Sequence, residues 1–137
     1  MQIFTTNESY YNLGDVMLKL EKYLLTKVGS LKEFPFGEDV AVYKVMNKMF
    51  ALVSLKDGWI HINLKCLPDD ALGYRDIYEC VLPGYHMNKK HWNTVIVNGE
   101  MKDEILVDMI DDSYDLVVSK LTKKEKEELS NKKNHLG

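Results

Sequence analysis

The densest group of chemically useful side chains lies in one eight-residue stretch of the chain. It contains two histidines, two lysines, two asparagines and one tryptophan; these are His86, Asn88, Lys89, Lys90, His91, Trp92 and Asn93. The lysines could attract an anion, the amides could donate directional hydrogen bonds, and the indole could stack on a flat ligand. The stretch therefore indicates a site for nucleic acid or a small anion.

A purely structural role is the competing interpretation of the same stretch. For Trp92 a packed position is favoured, because most aromatic side chains of this kind lie in the interior. His86 and His91 could hydrogen-bond to backbone carbonyls at the point where a helix gives way to a strand. Lys89 and Lys90 fit ligand binding and simple solvation equally well.

A second set of lysines accompanies the predicted strands: Lys44, Lys48, Lys56 and Lys65. Two of these, Lys48 and Lys56, fall at predicted hairpin turns, where a projecting wing could reach a phosphate backbone. A single lysine in such a place is more often only solvated, and on an edge strand it blocks aggregation. Together with Lys89 and Lys90, the four could form a weak basic patch.

The charge of the chain argues against strong non-specific binding to nucleic acid. The formal net charge is −3, whereas neutralised phosphates supply most of that kind of affinity. The acidity is concentrated in residues 99–122, which hold seven carboxylates and two lysines. Residues 40–98 are mildly basic, so a local basic face is compatible with the composition.

Neither a metal site nor a catalytic site is indicated. Cys66, Cys80, His86 and His91 are ligand types that zinc accepts, but the short Cys-to-Cys interval of a structural zinc site is missing. The sequence lacks a Gly-rich phosphate loop, a Gly-x-Ser-x-Gly motif and a His-Glu-x-x-His motif. We therefore expect a binding protein without a cofactor rather than an enzyme.

The elements that would position these residues follow from the apolar periodicity. Residues 15–28 have a helical spacing of Leu and Met, and Gly29 lies just past the end. Residues 40–45, 49–55 and 59–65 are predicted as strands, joined by turns at Asn47-Lys48 and at Asp57-Gly58. Residues 31–39 are predicted as a connection without regular structure.

The second half of the chain is predicted to be mainly helical. A helix begins at Pro68 and runs to near residue 79, residues 81–85 break it, and residues 92–97 form a strand. A further helix starts at Asp103, and the stretch Asp111-Asp112-Ser113 predicts a break with a new cap. Thr122 and Glu125 fit a capping box at the start of a last, charged helix.

Together these elements predict one α+β domain over residues 1–137, with an antiparallel sheet packed against N-terminal and C-terminal helices. Residues 1–14 could be an ordered helix or an arm, and residues 123–137 a charged helix and tail. The chain shows no apolar run long enough to cross a membrane and no signal peptide. With two cysteines that fit a reducing compartment, we expect a cytoplasmic protein.

Several stretches, in order along the chain, resemble the MmcQ/YjbR family of DNA-binding proteins. They are Pro35-Phe36-Gly37-Glu38-Asp39-Val40, Lys44-Val45, Lys48-Met49-Phe50-Ala51, Leu64-Lys65-Cys66, the long run from Pro83-Gly84-Tyr85-His86 to His91-Trp92-Asn93-Thr94-Val95, and Ser113-Tyr114-Asp115-Leu116-Val117-Val118. The resemblance covers residues 34–121. It implies a CyaY-like fold in a "double-wing" arrangement, with hairpins that contact DNA.

Two functional hypotheses follow. The first is modest, salt-dependent DNA binding through the hairpin wings and residues 86–93. The second is binding of a protein or a small anion at the same place, with no nucleic acid. The first requires the lysines to share a face opposite the acidic helices, and a pocket ligand instead requires His86, His91 and Trp92 to line a concavity.

Overall fold

The computed structural model describes residues 12–136, a range that contains four helices and six strands. In chain order they are α1 (Leu13–Leu25), β1 (Ser30–Glu33), β2 (Val40–Val45), β3 (Lys48–Lys56), β4 (Trp59–Lys65), α2 (Pro68–Ile77), β5 (Val81–Pro83), β6 (Trp92–Val97), α3 (Asp103–Ser119) and α4 (Lys123–Leu136). This is the predicted α+β fold class.

The six strands form one antiparallel sheet with the order β1-β2-β3-β4-β6-β5. The first four strands follow one another as a meander. The chain then leaves the sheet through α2, adds β5 at the far edge, and returns as β6 between β5 and β4. The segment that joins β5 to β6 contains most of the predicted site.

The main core lies between the sheet and the helices. In β4 the alternate residues Ile60, Ile62 and Leu64 are fully buried, as expected for a strand with one face on a core. They share a cluster with Leu24 of α1 and Ile110 of α3. Within residues 12–136, the opposite side of the sheet has no such layer of apolar helices.

The hairpin turn predicted at Asp57-Gly58 is confirmed, and the turn predicted at Asn47-Lys48 lies one residue earlier, at Met46-Asn47. Met46 and Asn47 have φ values of 48° and 65°, and Asp57 and Gly58 have values of 55° and 81°. Two successive residues with positive φ form the turn that matches the twist of paired strands. Asn, Asp and Gly tolerate this conformation best, so the sequence signal had a direct physical cause.

A bulge interrupts the pairing of β2 with β3. Tyr43 pairs with Ala51 and Lys44 with Met49, which leaves Phe50 as an extra residue. Phe50 and Ala51 are both fully buried in the main core. Side chains of β3 point alternately to the two sides of the sheet. Because of the extra residue, the side chains before Phe50 point to the opposite side from the one that the alternation after Ala51 predicts.

The predicted break in α3 at Asp111-Asp112-Ser113 is wrong, because the helix runs unbroken from Asp103 to Ser119. The Ser113 hydroxyl does not cap a new helix. It donates to the Phe50 carbonyl at 2.6 Å and accepts from the Lys65 backbone N–H at 2.8 Å. Ser113 thus ties α3 to β3 and β4 at the bulge.

Two short strands were predicted as irregular structure. β1 and β5 have four and three residues and lie at the two edges of the sheet. A strand this short shows little periodicity, so only its pairing partner reveals it. The α1 helix begins at Leu13, with Asn12 as its cap, and the predicted arm lies mostly outside the described residues.

Candidate nucleic-acid interface

The side of the sheet that faces away from α1 and α3 is called the open face here. Cross-strand register defines it, because residues paired in neighbouring strands point to the same side. One row across it is Glu33, Val42, Leu52, Asn63, Thr94 and Leu82. Polar and apolar side chains are mixed in this row, unlike the apolar side under the helices.

The 84–91 loop is fixed to the open face by a small apolar cluster. Val42, Leu52 and Trp92 are buried together there, and Met87 from the loop packs against them. The Tyr85 N–H donates to the Thr94 hydroxyl at 3.0 Å. The loop therefore has a defined position on the sheet.

Gly84 permits the closest approach between this loop and β6. Its N–H donates to the Trp92 carbonyl at 2.9 Å. A Cβ atom at Gly84 would lie 2.8 Å from the Trp92 Cβ and 2.9 Å from the Trp92 oxygen. Side chains larger than hydrogen do not fit at this position without a backbone shift.

Arg75 of α2 holds the other end of the loop, and sequence reasoning did not identify it. Its Nε donates to the Asn93 side-chain oxygen at 2.6 Å. Its terminal nitrogen donates to the carbonyls of Lys89 and, at 3.3 Å, Trp92. Arg75 is the one arginine of the sequence, beside seventeen lysines. An arginine at this single position indicates a need for its planar guanidinium group, which donates several hydrogen bonds in fixed directions.

The predicted loop residues separate into three groups by exposure. His86, Asn88, Lys89 and Lys90 are exposed, His91 is half-buried, and Trp92 and Asn93 are buried. Trp92 thus occupies the packed position that was favoured. The Asn93 amide donates to the Ala71 carbonyl at 3.2 Å, so it supports the loop and offers no donor to an outside ligand.

Three strand lysines lie on the open face. Lys44 and Lys65 follow the alternation of Val42 and Asn63, and Lys56 lies at the end of β3 opposite Trp59. Lys44 forms an ion pair with Glu33 at 3.0 Å, which partly neutralises it. Among the described residues, no carboxylate forms an ion pair with Lys56, Lys65, Lys89 or Lys90.

Lys48 lies on the helix side instead. Its register partner is Val45, which is fully buried in the main core. The charge of Lys48 acts on the carboxyl group of Glu125 in α4. The pKa of Glu125 is lowered mainly by the hydrogen bond with the Thr122 backbone, and Lys48 lowers it further. Thr122 and Glu125 exchange the two hydrogen bonds of the predicted capping box.

Three open-face residues were missed by sequence reasoning as site candidates: Trp59, His61 and Tyr85. Tyr85 is 57% exposed and Trp59 38% exposed. The Lys56 ammonium lies 4.3 Å from the centre of the Tyr85 ring. Burial lowers the pKa of His61, and the nearby charge of Lys56 lowers it further while Asp57 opposes the change.

The carboxylates of α3 belong to the other layer of the molecule. A cleft of about 290 Å³ is lined there by residues that include Cys66, Asp70, Asp112 and Asp115. Burial and the neighbouring carboxylates raise the pKa of Asp112, in that order of size. Nowhere in residues 12–136 do three or more His, Cys, Asp or Glu form a group that could hold a metal ion.

Comparison with known proteins identifies the family of this chain. The family model described as YjbR matches residues 25–116. The chain belongs to the YjbR family. This match contains the open face and the whole of the 84–91 loop, and α4 lies outside it.

Curated relatives are similar to this chain over most of its length. The chain is 44% identical over 92 residues to the "Uncharacterized protein YbdF" of Escherichia coli O157:H7, covering 67% of this chain and 75% of that protein. It is 29% identical over 103 residues to the "Uncharacterized protein YjbR" of Escherichia coli K12, covering 75% and 87%.

Two solved structures share the fold. A Deinococcus radiodurans protein with the family-model domain DUF419 has a TM-score of 0.77 and 35% identity, covering 83% of this chain and 87% of that chain. A Pseudomonas syringae protein has a TM-score of 0.64 and 26% identity, covering 72% and 96%. In the described part of this YjbR-family chain, no helix is both long and apolar enough to span a membrane.

Proposed function

We propose that this YjbR-family protein binds DNA without catalysis, through the open face and the 84–91 loop. The observation that carries the proposal is the separation of charge across the sheet. Lysines from three strands lie on one side, Lys89 and Lys90 are exposed on the loop that packs against that side, and the carboxylates of α3 lie in the layer on the other side.

This separation matters because the whole chain has a net charge of −3. An acidic protein attracts a polyanion only where its cations are gathered and its carboxylates are distant. Phosphates approaching α3 would be repelled, whereas the open face would attract them. Binding of this kind is expected to be modest and to weaken as salt is added.

The phosphate contacts are assigned to Lys56, Lys65, Lys89 and Lys90, which are not engaged in ion pairs with described carboxylates. Lys44 would contribute less because it is paired with Glu33. Trp92, Asn93 and Arg75 would act indirectly by fixing the loop.

Contact through the whole face is a better fit than contact through two adjacent hairpin tips. The two turns lie at opposite ends of β3, a nine-residue strand, so they are separated by roughly 25 Å. Lys48, beside one of these turns, is directed toward α4. Among the hairpin lysines, Lys56 is therefore the better candidate.

The proposal is tested by fluorescence anisotropy with labelled duplex and single-stranded DNA at two salt concentrations. Lys89→Ala/Lys90→Ala should weaken binding and reduce the dependence of log K on log salt by about 1.5, because two phosphate contacts are lost. The matched control is Lys123→Ala/Lys124→Ala, which removes the same charge from exposed positions on α4.

Equal loss in both double variants would show that only net charge matters and would contradict the assigned surface. Absence of binding to either DNA at low salt would contradict the proposed function itself.

A further inference from the structure

One end of the open face carries a compact group of exposed rings beside one lysine. It consists of Lys56, Trp59, Tyr85 and His86, and is called the aromatic cluster here. Tyr85 and Trp59 are 57% and 38% exposed, whereas other large side chains of the protein, such as Phe50, are fully buried in its core. Apolar side chains that are exposed together in one place mark a binding surface more often than single exposed ones do.

Two members of the cluster lie on the sheet, and the other two belong to the 84–91 loop, which is fixed to the sheet. Lys56 and Trp59 are register partners next to the β3–β4 turn. The Lys56 ammonium lies 4.3 Å from the Tyr85 ring centre, and the Tyr85 and His86 rings are 4.0 Å apart. The Tyr85 backbone is fixed by its hydrogen bond to Thr94.

The composition of the cluster matches the two parts of a nucleotide. An aromatic ring offers a stacking surface to any base, and an adjacent ammonium offers a charge to its phosphate. Stacking requires a base whose flat side is accessible. The bases of a duplex are stacked on each other, so they present only their edges and cannot use such a surface.

The lysines at the other end of the open face extend the binding surface along which a single strand of nucleic acid could lie. Lys65 is paired with Trp92 at the other end of β4, roughly 20 Å from Trp59. Lys89 and Lys90 precede β6 at that same end. A chain of bases could therefore stack at the aromatic cluster while its backbone continues toward these three lysines.

We infer that the open face binds single-stranded nucleic acid in preference to duplex, with bases stacked on Tyr85 and Trp59 and phosphates on the lysines. This inference rests on the proposed function and narrows it, because it names the form of nucleic acid and the residues that select it.

The test compares three labelled probes of equal length at low salt: a single strand, the corresponding duplex, and a single strand made of abasic sites. The abasic probe keeps the phosphates and lacks the bases. The single strand is expected to bind at least five times more tightly than either other probe, the size that stacking of one base provides.

Tyr85→Leu should remove most of the advantage of the single strand over the abasic probe, because leucine keeps an apolar side chain but has no ring. Tyr85→Phe should preserve it. Phe36→Leu is the matched control, since Phe36 is 64% exposed and lies outside the cluster. Both positions, Tyr85 and Phe36, are on the surface, so all three variants are expected to fold normally.

Tryptophan fluorescence gives an independent measure. The two tryptophans differ in exposure, with Trp59 at 38% and Trp92 at 8%. The single strand should quench the emission, and Trp59→Phe should abolish the quenching while the Trp92 signal remains.

Three results would overturn the inference alone, and a fourth would overturn it together with the proposed function. The duplex or the abasic probe could bind as tightly as the single strand, or Tyr85→Leu could bind like Phe36→Leu; in those cases the proposed DNA binding would stand and only its narrowing would fail. If none of the three probes binds at low salt, both the inference and the proposed function fail.

Discussion

The two sides of the sheet differ although the same strands build both. In β4 the residues Ile60, Ile62 and Leu64 point to the helices and are fully buried. The residues between them, including His61 and Lys65, point to the open face and are partly exposed. One side fixes the fold, and the other presents charge and rings to solvent.

This difference indicates where change should affect stability and where it should affect binding. The helix-covered side gains its stability from apolar area and close packing, which act throughout the core. On the open face, the loop is anchored by the small cluster around Trp92 and by hydrogen bonds that involve Arg75 and Tyr85. Substitutions on the two sides are therefore expected to have separable consequences.

The largest effect is expected for Ile62→Ala on the helix-covered side. This change removes buried methyl and methylene groups and leaves a cavity, so unfolding should become easier by about 2–5 kcal/mol. Lys65→Ala, three positions along the same strand on the open face, should change stability by less than about 0.5 kcal/mol. Urea denaturation measures both, and equal losses would contradict the division of the sheet.

A smaller effect is expected for Gly84→Ala at the base of the loop. The new Cβ would approach backbone and Cβ atoms of Trp92 at less than 3.0 Å, and the strain should cost about 1–3 kcal/mol. The control is Gly73→Ala in α2, where nothing lies within 4 Å and alanine should stabilise the helix by up to about 1 kcal/mol.

Thermal unfolding of the two glycine variants compares them directly. Opposite signs of the shift in Tm are expected. A stabilised Gly84→Ala would show that the loop does not pack against β6 as described.

The smallest effect concerns the charge of His61 on the open face. Burial first, and then Lys56, lower the pKa of its imidazole, and Asp57 acts in the opposite direction. The unfolded chain therefore takes up the proton before the folded chain does. The stability linked to His61 is complete above about pH 6.5 and is lost as the pH falls below that value.

Lys56→Gln should raise the pKa of His61 and reduce this loss, and an NMR titration of the imidazole measures the change. Lys48→Gln is the matched control, because Lys48 lies on the helix side. An equal change in both variants would mean that His61 senses only the total charge of the chain.

Local signals predicted much of the fold. The alternation from Trp59 to Lys65 gave the bounds of β4, and Asn47 and Asp57-Gly58 gave both turns. Each of these features depends on residues that are neighbours in sequence. The short edge strands and the uninterrupted α3 could not be predicted in this way, because β1 and β5 are defined by pairing and Ser113 by its bonds to distant strands.

The side of the sheet to which each lysine points was harder to predict than the strand that contains the lysine. The extra residue Phe50 reverses the alternation at the start of β3, so Lys48 points to the helices while Lys44 points to the open face. A bulge depends on the partner strand and leaves little trace in sequence. Arg75 could have been noticed as a lone arginine, but its contacts depend on how α2 docks beside β6.

The shortness of the two outermost strands has a consequence for the behaviour of the protein at high concentration. A long, apolar edge would invite other copies to add their strands and grow into aggregates. Here one edge ends at Pro83, which has no N–H to donate, and the other carries Lys32 and Glu33. The edges of the sheet thus discourage polymerisation, although the described residues leave its open face without a covering layer of helices.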